Sequence, residues 1–265
     1  MSRIAKMFER AAGHGRLAVA PYVTVGYPDL DRSIALARAY ADVGADMLEL
    51  GVPFSDPIAD GPTIQRASQR ALENGVTVAR CLESVAEIRR STDAALLLMG
   101  YANPFMQYGF DRLSNDLISA GGDGLIVPDL LPELADDIRV PARARGLDLV
   151  HLVAPTTPSA RMSSVLTEAS GFVYCVSVTG VTGSRNRLGE GLADYLSRVR
   201  TATQLPRAVG FGISRPEHVR SLHGVAEGAI AASALIDTMD AAAPAQAVGA
   251  AAAHLETLVE AAKCA

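Results

Sequence analysis

Short apolar runs rich in Val, Ile and Leu alternate along the whole chain with longer stretches in which apolar residues recur at helical spacing. The first run, residues 17–25, reads as a strand, and the pattern at 30–43 as its helix, with Asp29 or Asp31 available as N-cap. Residues 47–51 form the second strand. Helices at 62–74 and 77–90 lead to a third strand at 94–99, and a helix near 111–120 leads to a fourth at 124–127. The rhythm continues with helix 131–145, strand 147–153, helix 158–169 and strand 172–177, followed by a Gly-rich loop. Helix 192–203, strand 207–211, helix 215–222, strand 228–231 and an Ala-rich C-terminal helix complete the series.

Strands that alternate with helices, and are apolar on both faces, belong to a parallel sheet covered by helices. Eight of them in one chain of 265 residues favour a closed (β/α)8 TIM barrel, one domain over residues 1–265, above an open doubly wound sheet. No linker divides the chain. In such a barrel, functional groups gather at the C-terminal ends of the strands. Glu49, Tyr101, Asp129, the 179–187 loop and Gly210-Phe211-Gly212 all fall there.

The second strand and the loop after it are the most unusual stretch. Glu49 sits between Leu48 and Leu50, where a strand buried on both faces ordinarily takes an aliphatic residue. An ionisable group there must be hydrogen-bonded, paired or kept partly protonated. Behind it, Pro53, Pro57, Gly61 and Pro62 stiffen a loop that carries Asp56 and Asp60. That stiffness suits a loop that places carboxylates.

Charge and composition narrow the chemistry. A net charge of −5 and a pI near 5.6 argue against a nucleic-acid surface. The N-terminal ten residues are charged and lack an apolar core of signal length, and no apolar run is long enough to span a bilayer, so a cytoplasmic protein is expected. Cys81, Cys175 and Cys264 lack paired spacing and read as reduced, packed thiols rather than a disulfide framework or zinc site. Of the histidines, only His218 and His223 lie close together, in a polar helical stretch that reads as surface. No metal site is therefore expected.

Small-residue segments follow the sixth, seventh and eighth strands: 179–184, 210–214 and 230–234. Barrels bind phosphate there, because small residues let backbone N–H groups approach an oxyanion and a helix starting near Ser233 adds its positive end. The only lysines, Lys6 and Lys263, lie at the chain ends, which disfavours Schiff-base chemistry. Carboxylates, Tyr hydroxyls and backbone dipoles remain, with Glu49 and Asp60 as the leading acid/base pair.

These residues resemble the tryptophan synthase α subunit family. The segment 48–65 carries the resemblance almost throughout. Pro21-Tyr22-Val23-Thr24, Tyr101-Ala102-Asn103-Pro104, Val127-Pro128-Asp129, Gly180-Val181-Thr182-Gly183 and Gly210-Phe211-Gly212-Ile213-Ser214 follow in family order. The resemblance implies a lyase that cleaves indole-3-glycerol phosphate to indole and glyceraldehyde 3-phosphate in tryptophan biosynthesis. It implies catalytic roles for Glu49, Asp60 and Tyr174, and an indole pocket lined by Tyr22, Met99, Tyr101, Phe211 and Ile230. Gly183, Gly212, Ala232 and Ser233 fall on phosphate-binding positions, and Thr182 on a loop that closes over the site. A β subunit is the implied partner, in an α2β2 heterotetramer, contacted through Asp56 and the 53–60 loop. Pyridoxal phosphate would belong to that partner, with no cofactor in this chain.

Two positions depart from the family pattern. Ala232 stands where glycine usually precedes the serine, and Val178 replaces a polar or basic residue. The alternatives are a stand-alone lyase that releases free indole and a catalytically weak regulatory subunit that activates a β partner. A phosphosugar isomerase on the same barrel is a third, disfavoured by the apolar lining and the paired carboxylates.

Overall fold

The computed structural model describes residues 1–177, 191–210 and 212–263. Eight parallel strands close into a barrel in sequence order. They are β1 (Ala18–Thr24), β2 (Met47–Gly51), β3 (Ala95–Met99), β4 (Gly124–Ile126), β5 (Asp148–Val153), β6 (Val173–Val176), β7 (Arg207–Gly210) and β8 (Gly228–Ala231), and β8 pairs back onto β1. The register follows the pleat. Tyr22 lies opposite Glu49, Glu49 opposite Leu97, and Tyr174 opposite both Leu152 and Ala208.

One set of strand residues faces the barrel interior and the alternate set faces the helices. Ala18, Ala20, Met47, Ala95, Leu97, Ile126, Val150, Tyr174, Ala208 and Ile230 fill the interior. Val19, Leu48, Leu50, Leu96, Leu98, Leu125, Cys175 and Val209 pack under the outer helices in a second, larger cluster. Both faces being covered explains why the strands are apolar throughout.

The helices are α1 (Arg3–Gly13), α2 (Leu30–Asp42), α3 (Pro62–Glu73), α4 (Val78–Arg89), α5 (Ala102–Tyr108), α6 (Phe110–Ser119), α7 (Asp136–Ala144), α8 (Ser159–Thr167), α9 (Leu192–Ala202), α10 (Pro216–Arg220), α11 (Ser233–Ala241) and α12 (Ala247–Ala262). The helix α1 corrects the sequence reading, which took the N-terminus only as a charged segment. Ile4, Met7, Phe8 and Ala11 recur at helical spacing and join the interior cluster, and Ser2 caps the helix by accepting from the Ala5 N–H. Three further boundaries differ. The helix α5 is not among the expected elements, and Pro104 falls in its first turn, where a missing N–H costs nothing. The stretch expected as one helix at 131–145 divides into a 3-10 turn, Pro132–Leu134, and α7. The C-terminal helix is two, α11 and α12, separated around Pro244.

The expectation of surface histidines also fails at His218, which is 9% exposed. It lies on α10 beside α12, and its Nδ1 accepts from the Ser214 N–H at 3.3 Å. Cys81 and Cys175 are buried free thiols, as expected; Cys264 lies outside the described residues. At the N-terminal face, two buried carboxylates tie strands to helices. Asp46 accepts from both Arg16 Nη atoms at 2.7 Å and from the Val19 N–H at 3.0 Å. Asp123 does the same for Arg3, Arg89 and the Leu96 N–H. Among the described residues, no helix is long and apolar enough to cross a membrane.

Candidate active site

The C-terminal ends of the strands surround a cavity of about 330 Å³. Tyr22 of β1, Glu49 of β2, Met99 of β3, Tyr174 of β6 and Ile230 of β8 reach it from the barrel interior, and Asp60 from the loop after β2. Two glycines make room for the tyrosines. A Cβ on Gly51 would lie 1.9 Å from the Tyr22 hydroxyl, and a Cβ on Gly210 would lie 2.3 Å from that of Tyr174. Strand positions without side chains therefore let two phenol rings lie flat against the wall.

Glu49 is 1% exposed, and its Oε1 has no hydrogen-bond partner among the described residues. Burial among apolar neighbours pushes its carboxyl up to about 8, because the charged form is poorly solvated there. Asp60 has a different environment. Burial raises it as well, but the Tyr101 hydroxyl donates to its Oδ2 at 3.0 Å and favours the ionised form. The same hydroxyl accepts the Ala59 N–H at 3.0 Å, so one phenol fixes the loop backbone and the carboxylate together. Phe54 packs on the Tyr101 ring with centroids 5.4 Å apart.

Tyr22 and Tyr174 are both pushed above the usual phenol range, first by burial and then by nearby carboxylates, Asp60 for Tyr22 and Glu49 for Tyr174. Both phenols therefore stay protonated. They can donate a hydrogen bond without competing for the catalytic proton.

Three of the four expected phosphate positions, Gly212, Ala232 and Ser233, share the cavity wall with Ile213. Gly212 has φ +84°, a conformation that glycine adopts without strain. Ala232 has φ −129° and ψ −88°, so the alanine does not stand in the left-handed region that favours glycine. Ser233 begins α11, whose positive dipole end faces this region. No cationic side chain belongs to the described cavity wall.

Not every expected residue is in the wall. Tyr101 stands behind Asp60 as its hydrogen-bond donor instead of lining the cavity. Asp56 is exposed on the loop, accepting from the Ser55 hydroxyl. Asp129 accepts from the Ala102 N–H at 2.9 Å and so caps α5 at the rim. Phe211, Thr182, Gly183 and Val178 lie outside the described residues. Thr63, Ile64 and Asp237 line the cavity without having been anticipated. Thr63 and Ile64 begin α3 directly after Gly61-Pro62, and Asp237 lies one turn beyond Ser233 on α11. Those offsets were the only signal available.

With the geometry in place, comparison with known proteins is specific. Residues 8–263 match the tryptophan synthase alpha chain family. The tryptophan synthase alpha chain of Chloroflexus aurantiacus is 52% identical over 262 residues, covering 98% of each chain. That of a Roseiflexus species is 54% identical over 245 residues, covering 92% of this chain and 94% of the relative. Among solved structures, a chain of Mycobacterium tuberculosis tryptophan synthase superposes with TM-score 0.92 at 33% identity, covering 100% of this chain and 99% of that one. Tryptophan synthase subunit alpha from Legionella pneumophila does so with TM-score 0.90 at 37% identity, covering 98% of each. A barrel with two carboxyls on one cavity at its C-terminal mouth, matched over nearly its full length to these relatives, leaves one assignment: the chain belongs to the tryptophan synthase alpha chain family.

Proposed function

We propose that Glu49 and Asp60 are the groups through which this chain performs the reaction of its family, the cleavage of indole-3-glycerol phosphate to indole and glyceraldehyde 3-phosphate. The observation that carries the reading is the contrast between two carboxyls on one cavity. One is buried among apolar neighbours, with an Oε1 that has no hydrogen-bond partner among the described residues and a pKa pushed up to about 8, and the other is held by a tyrosine hydroxyl. Environments that drive two acids apart assign them different roles.

Protonated Glu49 delivers its proton to C3 of the indole ring, and the ring becomes iminium-like with positive charge at its nitrogen. Asp60, whose ionised form the Tyr101 hydroxyl favours, accepts the indole N–H and stabilises that charge. The Glu49 carboxylate then takes the proton of the glycerol hydroxyl adjacent to the ring. The carbon–carbon bond breaks, its electrons return to the ring, and the aldehyde forms. Glu49 ends the cycle protonated. Tyr174 assists beside the carboxylates, while Tyr22, Met99 and Ile230 form the apolar wall for the ring, with Phe211 as a further member. The phosphate is held by backbone N–H groups at Gly212, Ala232 and Ser233, with Gly183, and Thr182 belongs to the closing loop.

The reaction so described needs no cofactor in this chain. The partner is a β subunit carrying pyridoxal phosphate, in an α2β2 assembly. Support comes from the face around the cavity mouth, where the elements following β2, β3 and β4 expose Ile58 at 84%, together with Met106, Leu131 and Leu134. Asp56 lies on the same loop as Ile58 and belongs to that contact.

The test is indole release from indole-3-glycerol phosphate by the wild type, Glu49→Gln and Asp60→Asn, with circular dichroism as the folding control. Each variant is expected to lose about 10²- to 10⁴-fold in kcat. Wild-type turnover in either would remove that residue from the mechanism.

A further inference from the structure

The two small-residue segments that meet at the phosphate end of the cavity belong to different βα units, and something must hold them in register. Gly212 and Ile213 follow β7, whereas Ala232 and Ser233 follow β8 and begin α11. A side-chain chain joins them from outside the barrel. The backbone carbonyl of Ser214, two residues after Gly212, lies 2.9 Å from Nε2 of His254 on α12. A carbonyl only accepts, so Nε2 carries the hydrogen and donates it. On the other side of the ring, Nδ1 lies 2.7 Å from the hydroxyl of Thr238 on α11. That hydroxyl also donates to the Ala234 carbonyl at 2.8 Å, one residue after Ser233, so its one hydrogen is shared between the carbonyl and Nδ1. Ser214 is gripped from its other backbone group as well, its N–H donating to Nδ1 of His218 at 3.3 Å.

We infer that His254 is a positioning residue for the phosphate site, an imidazole strut that spans Ser214 and Thr238 and so fixes the spacing between the loop after β7 and the first turn of α11. Both ring nitrogens are committed to protein groups. One points to each segment. The strut touches neither substrate nor the carboxyl pair, and acts only through the backbone it holds. An anion bound by backbone N–H groups depends on their separation to within a fraction of an ångström, because no mobile cationic side chain in the described wall compensates for a displaced donor. His218 supports the same strut by holding Ser214 from α10.

This inference rests on reading Gly212, Ala232 and Ser233 as the phosphate site, so its test includes an arm for that reading alone. KM and kcat for indole-3-glycerol phosphate, and the inhibition constants of inorganic phosphate and glycerol 3-phosphate, are measured on the full chain. His254→Leu is expected to raise KM and both inhibition constants together by about fivefold to tenfold, with kcat falling by less. Thr238→Val, a milder change that leaves the ring in place, is expected to move the same constants in the same direction. His254→Gln is expected to recover most of the loss, since its amide N–H can donate to Ser214 and its oxygen can accept from Thr238. Ser233→Asp, which sets a negative charge in the site itself, tests the underlying reading. If it leaves phosphate inhibition unchanged, the phosphate assignment and the strut fall together. If it abolishes inhibition while His254→Leu and Thr238→Val leave the constants as in the wild type, or lower kcat alone, the strut is wrong and the phosphate site stands.

Discussion

Tyr22 and Glu49 are register partners across β1 and β2, and both side chains face the barrel interior at the level where the cavity begins. A carboxyl placed one strand from a phenol ring, with Leu97 on its other flank, has apolar or weakly polar neighbours on both sides. Its position in the sheet, rather than a charged partner, is therefore what raises its pKa.

The raised pKa of Glu49 predicts a stability cost with a defined pH window. Its ordinary value is 4.5 and its folded value about 8. Below the first, both folded and unfolded chains hold the proton and Glu49 contributes nothing. Between the two, the unfolded chain ionises while the folded one stays protonated, so stability falls as pH rises, and it levels off above about 8. Glu49→Gln is thus expected to unfold at higher urea concentration than the wild type at pH 8, and at the same concentration at pH 4. The same proton is required at the start of catalysis, so kcat/KM is expected to decline as pH rises through about 8. Equal urea midpoints at both pH values would show that Glu49 is not the isolated acid described here.

Tyr101→Phe separates the two carboxyls. The variant keeps the ring that packs on Phe54 but loses the hydroxyl shared by Asp60 and the Ala59 N–H. Asp60 then has burial raising its pKa with nothing opposing it, and its loop loses an anchor. Indole release is expected to fall by about tenfold or more while stability drops by only ~1 kcal/mol, since Ala59 is exposed and water replaces the lost bond. Steady-state assays and urea titration of the one variant supply both readings.

Much of this architecture was legible before any coordinates. The strands were readable because each is apolar on both faces and each is followed by a helical period, and Glu49 stood out because it broke that rule. The pairing of Tyr101 with Asp60 was not readable. An aromatic at a strand end reads as pocket lining, and nothing in a one-dimensional spacing of 41 residues shows that its hydroxyl, not its ring, does the work. The helix α1 is less legible because charged residues alternate with its apolar stripe, Ile4, Met7, Phe8 and Ala11. The strut at His254 was hidden for a different reason, since it joins three elements distant in sequence and carries no motif.

The glycines under the two tyrosines make a packing prediction. Gly51→Ala places a methyl group within 2.3 Å of the Tyr22 Cζ as well as its hydroxyl, so the ring must leave the wall. Overpacking of this kind costs about 1–3 kcal/mol, and it also moves a cavity residue, so both stability and kcat/KM are expected to fall. The effect belongs to the pair. Combining Gly51→Ala with Tyr22→Ala is expected to cost less stability than the sum of the two single changes, and strict additivity in a double-mutant cycle would show that the ring does not rest on the glycine.

The opposite face of the barrel predicts a loss of stability without a loss of chemistry. Asp123 is buried and accepts from Arg3 at 2.6 Å, from Arg89 at 2.8 Å and from the Leu96 N–H at 2.8 Å, joining the start of α1, the end of α4 and β3. Asp123→Ala removes the carboxylate that Arg3 and Arg89 share and orphans a strand N–H. Breaking a buried pair from one side costs about 3–5 kcal/mol, because the remaining charge stays desolvated. Tm is accordingly expected to drop by roughly 6–15 °C. The exposed pair Glu217–Arg220 on α10 gives the contrast, since removing it is expected to change stability by less than about 0.5 kcal/mol. In the Asp123 variant, kcat and KM measured well below its Tm are expected to match the wild type, because the carboxylate lies at the end of the strands away from Glu49 and Asp60. A fall in kcat at a temperature where the variant is fully folded would mean that the two faces of the barrel are coupled.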